Sequence, residues 1–386
     1  MFRFVVILSS ASAALMPAQA ETEFKLSTQA GLVLAAELEA DGGADTEPAL
    51  YELGLDARMD HYLENGVRVR LKTSFRVQDD HPSRPGYLGG FGADPAAPIG
   101  VFSGLSSQPA RDQDGARGRF EDAYVQVDGG YGEARLGKGL GIAARFHEGA
   151  PSVTQYARLG SALLDPSGLN AIKTRHDLTG PSAKLSYATP RWLGVRAGLS
   201  YTPEANADGL DRRPAATLTG LRPDMENALE IAMNTVHRLD RFDAEVQTGL
   251  AWSTAEVSDR ALLVYERTDT TSFGAQIARG DWHIGGSWLG STNGSPDADY
   301  AAWSAGIGTA KYGLDWSLSY GESEDDGAGL TADGWRFGAS KEVYPDIDVA
   351  LVYAQDKLDA ASNMSKNHAI VVEITLLHEF LNLSMN

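Results

Sequence analysis

Residues 66–77 read GVRVRLKTSFRV. Val67, Val69, Leu71, Thr73, Phe75 and Val77 share one parity, and Arg68, Arg70, Lys72, Ser74 and Arg76 share the other. Two-residue alternation of this kind belongs to a strand with one dry face and one wet face. Two surfaces fit it. One is the half-buried sheet of a soluble protein. The other is the wall of a membrane barrel, with lipid outside and water within.

The same alternation recurs along the chain. Phe242, Ala244, Val246, Thr248, Leu250 and Trp252 stand against Asp243, Glu245, Gln247 and Gly249. Residues 194–202, 312–320 and 347–353 repeat the pattern. The connections fall into two classes. Short ones lie at 61–66, 128–133, 189–194, 238–243, 279–282, 309–313 and 342–347, with Asn-Gly, Gly-Gly and Pro-Asp steps suited to tight turns. Longer polar segments lie at about 40–49, 78–117, 141–176, 203–225, 256–267, 291–299, 322–332 and 357–366. Eight long loops alternating with seven short turns require sixteen strands and put both chain ends on one side. Short turns on one side and long loops on the other is the asymmetry of an outer-membrane barrel. Trp192, Trp282, Tyr131, Tyr312 and Tyr344 sit at or beside the short turns, where a membrane interface favours amphipathic rings.

Composition agrees. The chain opens MFRFVVILSSASAALMPAQA, with a basic start, an apolar centre and a small-x-small site at Ala18-Gln19-Ala20. These are the three parts of a secretory signal, so residues 1–20 are expected to be removed and 21–386 to form one domain. A formal charge of −19 disfavours nucleic acid as a partner. An exported chain without cysteine has no disulfide framework and no thiolate metal site. After residue 20 no run of 18 or more apolar residues occurs, so a membrane-spanning form has to be a closed barrel.

Three stretches resemble Gram-negative general diffusion porins. RFEDAYVQVDGGYGEARLGKG (119–139) is similar to that family's fourth and fifth strands, and GPSAKLSYATPRWLGVRAGLSYTPE (180–204) to a later hairpin. HAIVVEITLLHEF (368–380) resembles the C-terminal strand read by the barrel-assembly machinery. The resemblance implies an outer-membrane location, a homotrimer, and a constriction loop at about 141–176 folded into the lumen. It makes the 78–117 loop the candidate for latching onto a neighbour. Two departures stand out. Leu381 to Asn386 follow Phe380, where the family ends on its terminal aromatic, and His378 takes an expected apolar position.

With Val67 to Val77 facing lipid, Arg68, Arg70, Lys72 and Arg76 project into the lumen, since a cation facing hydrocarbon near the midplane costs about 2–4 kcal/mol. Arg58 joins them if Leu53, Leu55, Ala57 and Met59 face out. The resemblance adds Lys138, at the place of a constriction arginine. These six form the expected basic wall, and Glu148 and Asp165 are the expected acids of the constriction loop. Acids opposite bases would set a transverse field that favours polar solutes; the bland reading is that these residues only keep a wet lumen wet. The acidic runs Glu37 to Glu52 and Glu322 to Asp326 are placed at the external mouth, as a solvated rim or as sites for cations bridging lipopolysaccharide. Gly139-x-Gly141-x-x-Ala144 follows a strand, but no amphipathic helix or parallel strand follows it, so a dinucleotide site is rejected.

The expectation is therefore an all-β, 16-stranded antiparallel transmembrane barrel acting as a passive channel for small hydrophilic solutes and ions, with no cofactor and no reaction. Its surroundings would be outer-membrane lipid and lipopolysaccharide. The alternatives are a solute-selective channel of the same fold, for anions or sugars, and a soluble secreted β-sandwich binder.

Overall fold

The computed structural model describes residues 21–82, 100–105, 115–205, 224–258, 266–360 and 363–385. Sixteen strands follow one another: β1 (Glu21–Asp41), β2 (Ala49–Tyr62), β3 (Arg68–Asp79), β4 (Arg117–Gly129), β5 (Gly132–Lys138), β6 (Ala183–Ala188), β7 (Val195–Glu204), β8 (Asp224–Leu239), β9 (Ala244–Ser258), β10 (Thr268–Arg279), β11 (Trp282–Ser291), β12 (Tyr300–Lys311), β13 (Leu314–Asp325), β14 (Leu330–Tyr344), β15 (Ile347–Ala360) and β16 (Asn363–Met385). Each pairs antiparallel with its sequence neighbours, and β1 pairs with β16 to close the barrel. Closure leaves no lone sheet edge around the wall, the condition for a sheet in hydrocarbon. It also excludes the soluble sandwich.

Alternation works as expected on β3. Leu71 and Phe75 are exposed on the outer face, while Ser74 and Gln78 are buried on the inner one. The turn aromatics form an exposed girdle at one end: Tyr131, Trp192, Trp282, Tyr312 and Tyr344 all face outward from the turns. Toward the other end Tyr320 packs against Trp335 at 4.5 Å and against Trp303 at 5.5 Å.

Several boundaries differ from the sequence reading. The segments 322–332 and 357–366 are mostly strand, because β13 to β16 run past the expected loops. Glu322 and Glu324 are therefore outward-facing strand residues, and Asp325 is buried on the inner face. The last strand continues beyond Phe380. A bulge at that residue lets Leu381–Met385 pair with Thr22–Leu26 of β1, and His378 faces outward with its Nδ1 at 2.9 Å from Asp346. The signal segment, and residues 83–99 and 106–114 of the expected latch, lie outside the described residues.

The long connection between β5 and β6, residues 139–182, enters the lumen and runs round its inner wall. Three apolar clusters mark its course. Ile142, Ala143 and Phe146 pack on Ala188, Ala232 and Ala251. Tyr156, Ala157 and Leu164 pack on Val33, Leu50, Val352 and Val371. Leu159, Leu169, Ile172 and Leu178 pack on Met225, Val257, Leu289, Tyr300, Leu330 and Leu358. Residues 100–105 join the third cluster through Phe102 and Leu105. The loop thus covers most of the inner circumference and leaves β2 to β5 as the wall facing the open bore.

Candidate functional site

The bare wall is a set of charged columns. On β3, Arg68, Arg70, Lys72 and Arg76 all take the inward parity, as does Arg58 on β2. Their partners come from β2 and β4. Arg70 Nε lies 2.7 Å and Arg58 Nε 2.8 Å from Asp60, Arg68 lies 3.0 Å from Asp128, and Lys72 lies 2.8 Å from Asp122. Arg76 meets Asp56 at 3.1 Å and Glu52 at 3.9 Å. Register explains the pairing: Arg58 stands opposite Lys72, Asp60 opposite Arg70, and Asp128 opposite Arg68. Cross-strand neighbours of opposite charge attract, and like charges directly opposite repel. The expected basic wall is therefore a wall of paired charges, with five cations matched by Glu52, Asp56, Asp60, Asp122 and Asp128.

Lys138 is a correction. It ends β5 on the outward parity, with Ala123 and Ala183 as its neighbours, both on the exposed outer face. The inward parity of β5 belongs to Glu133, Arg135 and Gly137, so Arg135 and not Lys138 is the cation this strand turns to the lumen.

Arg135 belongs to a group that the sequence reading missed. Glu133 receives an ion pair from Arg135 at 3.3 Å, another from Arg196 of β7 at 3.1 Å, and a close one from Arg145. Arg145 ends α1 (Ile142–Arg145), a single turn where the loop enters the lumen. Arg135 also stacks over the Tyr124 ring at 4.1 Å and donates to the Gln126 side-chain oxygen. Three guanidinium groups share one carboxylate, which leaves a local excess of positive charge. Burial, with Arg135 and Arg196 close by, holds the Arg145 pKa below its ordinary value against the pull of Glu133.

The two loop acids differ in placement. Asp165 is buried and turned into its own loop, where it accepts from Ser167 Oγ at 2.8 Å and from the Asn170 N–H at 2.8 Å. It shapes the loop tip and does not face the basic wall, because those local donors satisfy it. The Glu148 backbone lies against β9 and β10, six and seven strands round the ring of sixteen from β3, and so across the lumen from the basic wall. Burial raises its carboxyl pKa, and Arg191 opposes the shift. The nearby His147 stays neutral: burial first, then Arg175 and Arg158, push its pKa down to about 3. Residues 139–182 carry four cations (Arg145, Arg158, Lys173, Arg175) against three acids (Glu148, Asp165, Asp177).

Wall carboxylates hold the loop in place. Glu373 of β16 accepts the N–H groups of Gln155 at 2.5 Å and Ala157 at 2.8 Å, with Tyr156 also donating. Glu230 of β8 accepts from the Ala143 N–H at 3.2 Å and from Thr179 Oγ1 at 2.5 Å, joining the outgoing and returning arms. Such charge-assisted bonds are stronger than neutral ones.

A sequence profile described as Gram-negative porin matches residues 6–361. No curated protein matches the chain. Solved structures share the fold. OmpF of Salmonella typhi, in complex with daunomycin, is 13% identical with a TM-score of 0.61, over 92% of this chain and 97% of that one. OprB of Pseudomonas putida at high pH is 8% identical with a TM-score of 0.60, over 92% and 94%. An anion-selective porin from Comamonas acidovorans is 14% identical with a TM-score of 0.52, over 93% and 100%.

Proposed function

The chain belongs to the Gram-negative porin family and is a passive channel of the outer membrane, and we propose that its bore passes small hydrophilic solutes with a preference for anions. The carrying observation is the single Glu133 carboxylate shared by Arg135, Arg145 and Arg196. The five ion-paired cations of β2 and β3 are matched by five carboxylates, so the excess around Glu133 biases the field at the loop. The acids behind the chain's overall negative charge are spread along the whole sequence, and salt screens those farther off than about 8 Å at physiological ionic strength. The column pairs are part-buried, with the Asp60 side chain 1% exposed, so the wall presents a fixed array of charges to a passing solute. Conduction needs no reaction and no cofactor: the wall replaces lost hydration with charged and polar groups.

Export by cleavage after Ala20, trimerisation, contact with lipopolysaccharide at the acidic rim and insertion by the assembly machinery complete this reading. The apolar outer face, the exposed turn aromatics and the signal-like first twenty residues support it.

The test is the reversal potential of the reconstituted channel in a salt gradient. The wild type is expected to favour the anion, and an Arg145→Ala/Arg196→Ala variant to lose most of that preference. A cation-selective wild type overturns the proposal.

A further inference from the structure

Inward-facing glycines lie under the constriction loop on four consecutive strands. Gly249 of β9 pairs with Gly274 of β10, and Gly285 of β11 pairs with Gly306 of β12. The loop backbone lies directly over them. A Cβ on Gly249 would meet the carbonyl oxygen of Phe146, and one on Gly274 that of Glu148, both far inside van der Waals contact. On Gly285 it would come within 2.6 Å of the Gly149 oxygen, and on Gly306 within 3.3 Å of the Ala150 side chain. At Gly308 the gap to Pro151 relaxes to 3.4 Å, an ordinary contact. Successive loop residues thus cross successive strands, each over a position without a side chain.

We propose that these glycines form a groove in the inner wall that sets the aperture, making Gly249, Gly274, Gly285 and Gly306 positioning residues for solute size. The argument is steric. Residues 146–150 are held between two fixed points, the Glu230 clamp at Ala143 and the Glu373 clamp at Gln155–Ala157. The wall behind them is a closed hydrogen-bonded sheet that cannot retreat. A side chain added in the groove therefore displaces the loop in the one free direction, into the bore and toward β2 to β5. Packed interiors transmit such changes instead of absorbing them. At this stretch of wall, channel width is set by how deeply the loop sits. Ion preference is a separate property, set by the charged groups around Glu133 and by Glu148.

The experiment is unit conductance and sugar-exclusion measurement on full-length protein reconstituted in bilayers and liposomes. The variants are Gly274→Ala, Gly274→Val, Gly285→Ala and, as control, Gly130→Ala, whose added Cβ meets nothing within 4 Å. Conductance is expected to fall in the order wild type, Ala, Val, by about twofold for Val, with a smaller exclusion limit. Gly130→Ala is expected to match the wild type. Folded Gly274→Val or Gly285→Ala channels with wild-type conductance and exclusion limit overturn the proposal. If Gly274→Val fails to insert, the two alanine variants decide it in the same way.

Discussion

Lys138 and Arg135 stand three residues apart on β5, yet one faces lipid and the other the bore. The difference is parity, and it is visible locally once Glu133 and Arg135 are taken as inward. Lys138→Ala is therefore expected to leave ion preference unchanged. Glu148 makes the opposite case. Its carboxyl is the loop acid left beside the groove, and burial raises its pKa. On acidification it loses its charge before an ordinary glutamate does. Glu148→Gln is expected to raise anion preference at neutral pH and to converge with the wild type as pH falls, the convergence beginning above the usual carboxylate range of about 4.3. Reversal potentials recorded against pH for both proteins check this. Curves separated by a constant gap down to acid pH would refute it.

At the scale of the element, β3 was legible and the loop was not. The period of two in GVRVRLKTSFRV assigns lipid and lumen faces without any partner. The loop at 139–182 has no period, and its path is set by groups far away in sequence. The Glu373 clamp joins residues 218 positions apart. Nothing in HAIVVEITLLHEF marks Glu373 as a loop anchor until register places it on the inner face behind Tyr156. Glu373→Ala leaves three loop N–H groups without their acceptor, at about 1–3 kcal/mol for each one that stays buried. The expected outcome is a channel that inserts but closes more often in single-channel traces. Quiet wild-type traces would remove Glu373 from its positioning role.

For the whole molecule, the bore is eccentric. On the β8–β15 side a packed apolar core is built from the loop's returning arm and from residues 100–105 of the connection between β3 and β4. Phe102 sits 5.9 Å from Tyr300 and 6.2 Å from His176, and its carbonyl accepts from Lys173 at 3.2 Å. Asn293 Oδ1 accepts from the Phe102 and Ser103 N–H groups at 3.0 Å. The described part of the expected latch thus docks on its own barrel. Phe102→Ala is expected to cost about 3–5 kcal/mol in chemical unfolding of the detergent-solubilised protein, since the site cannot collapse within a rigid wall. Leu71→Arg, on the outer face, is expected to cost about 2–4 kcal/mol in the bilayer. A negligible effect of Phe102→Ala would mean that the inner core does not stabilise the barrel.

The amino-acid order alone determined the barrel, its strand number, and which face of β2 and β3 carries charge. Each of these follows from alternation and connection length, properties read within a few residues. Only the tertiary structure decided that the cations are paired across strands, that Glu133 gathers three arginines from two strands and the loop, and that loop residues 146–149 lie over glycines of β9 to β11. Those features depend on which residues of distant strands share a level on the inner wall. Cross-strand register and the path of an aperiodic loop set that level, and neither is encoded in a local pattern.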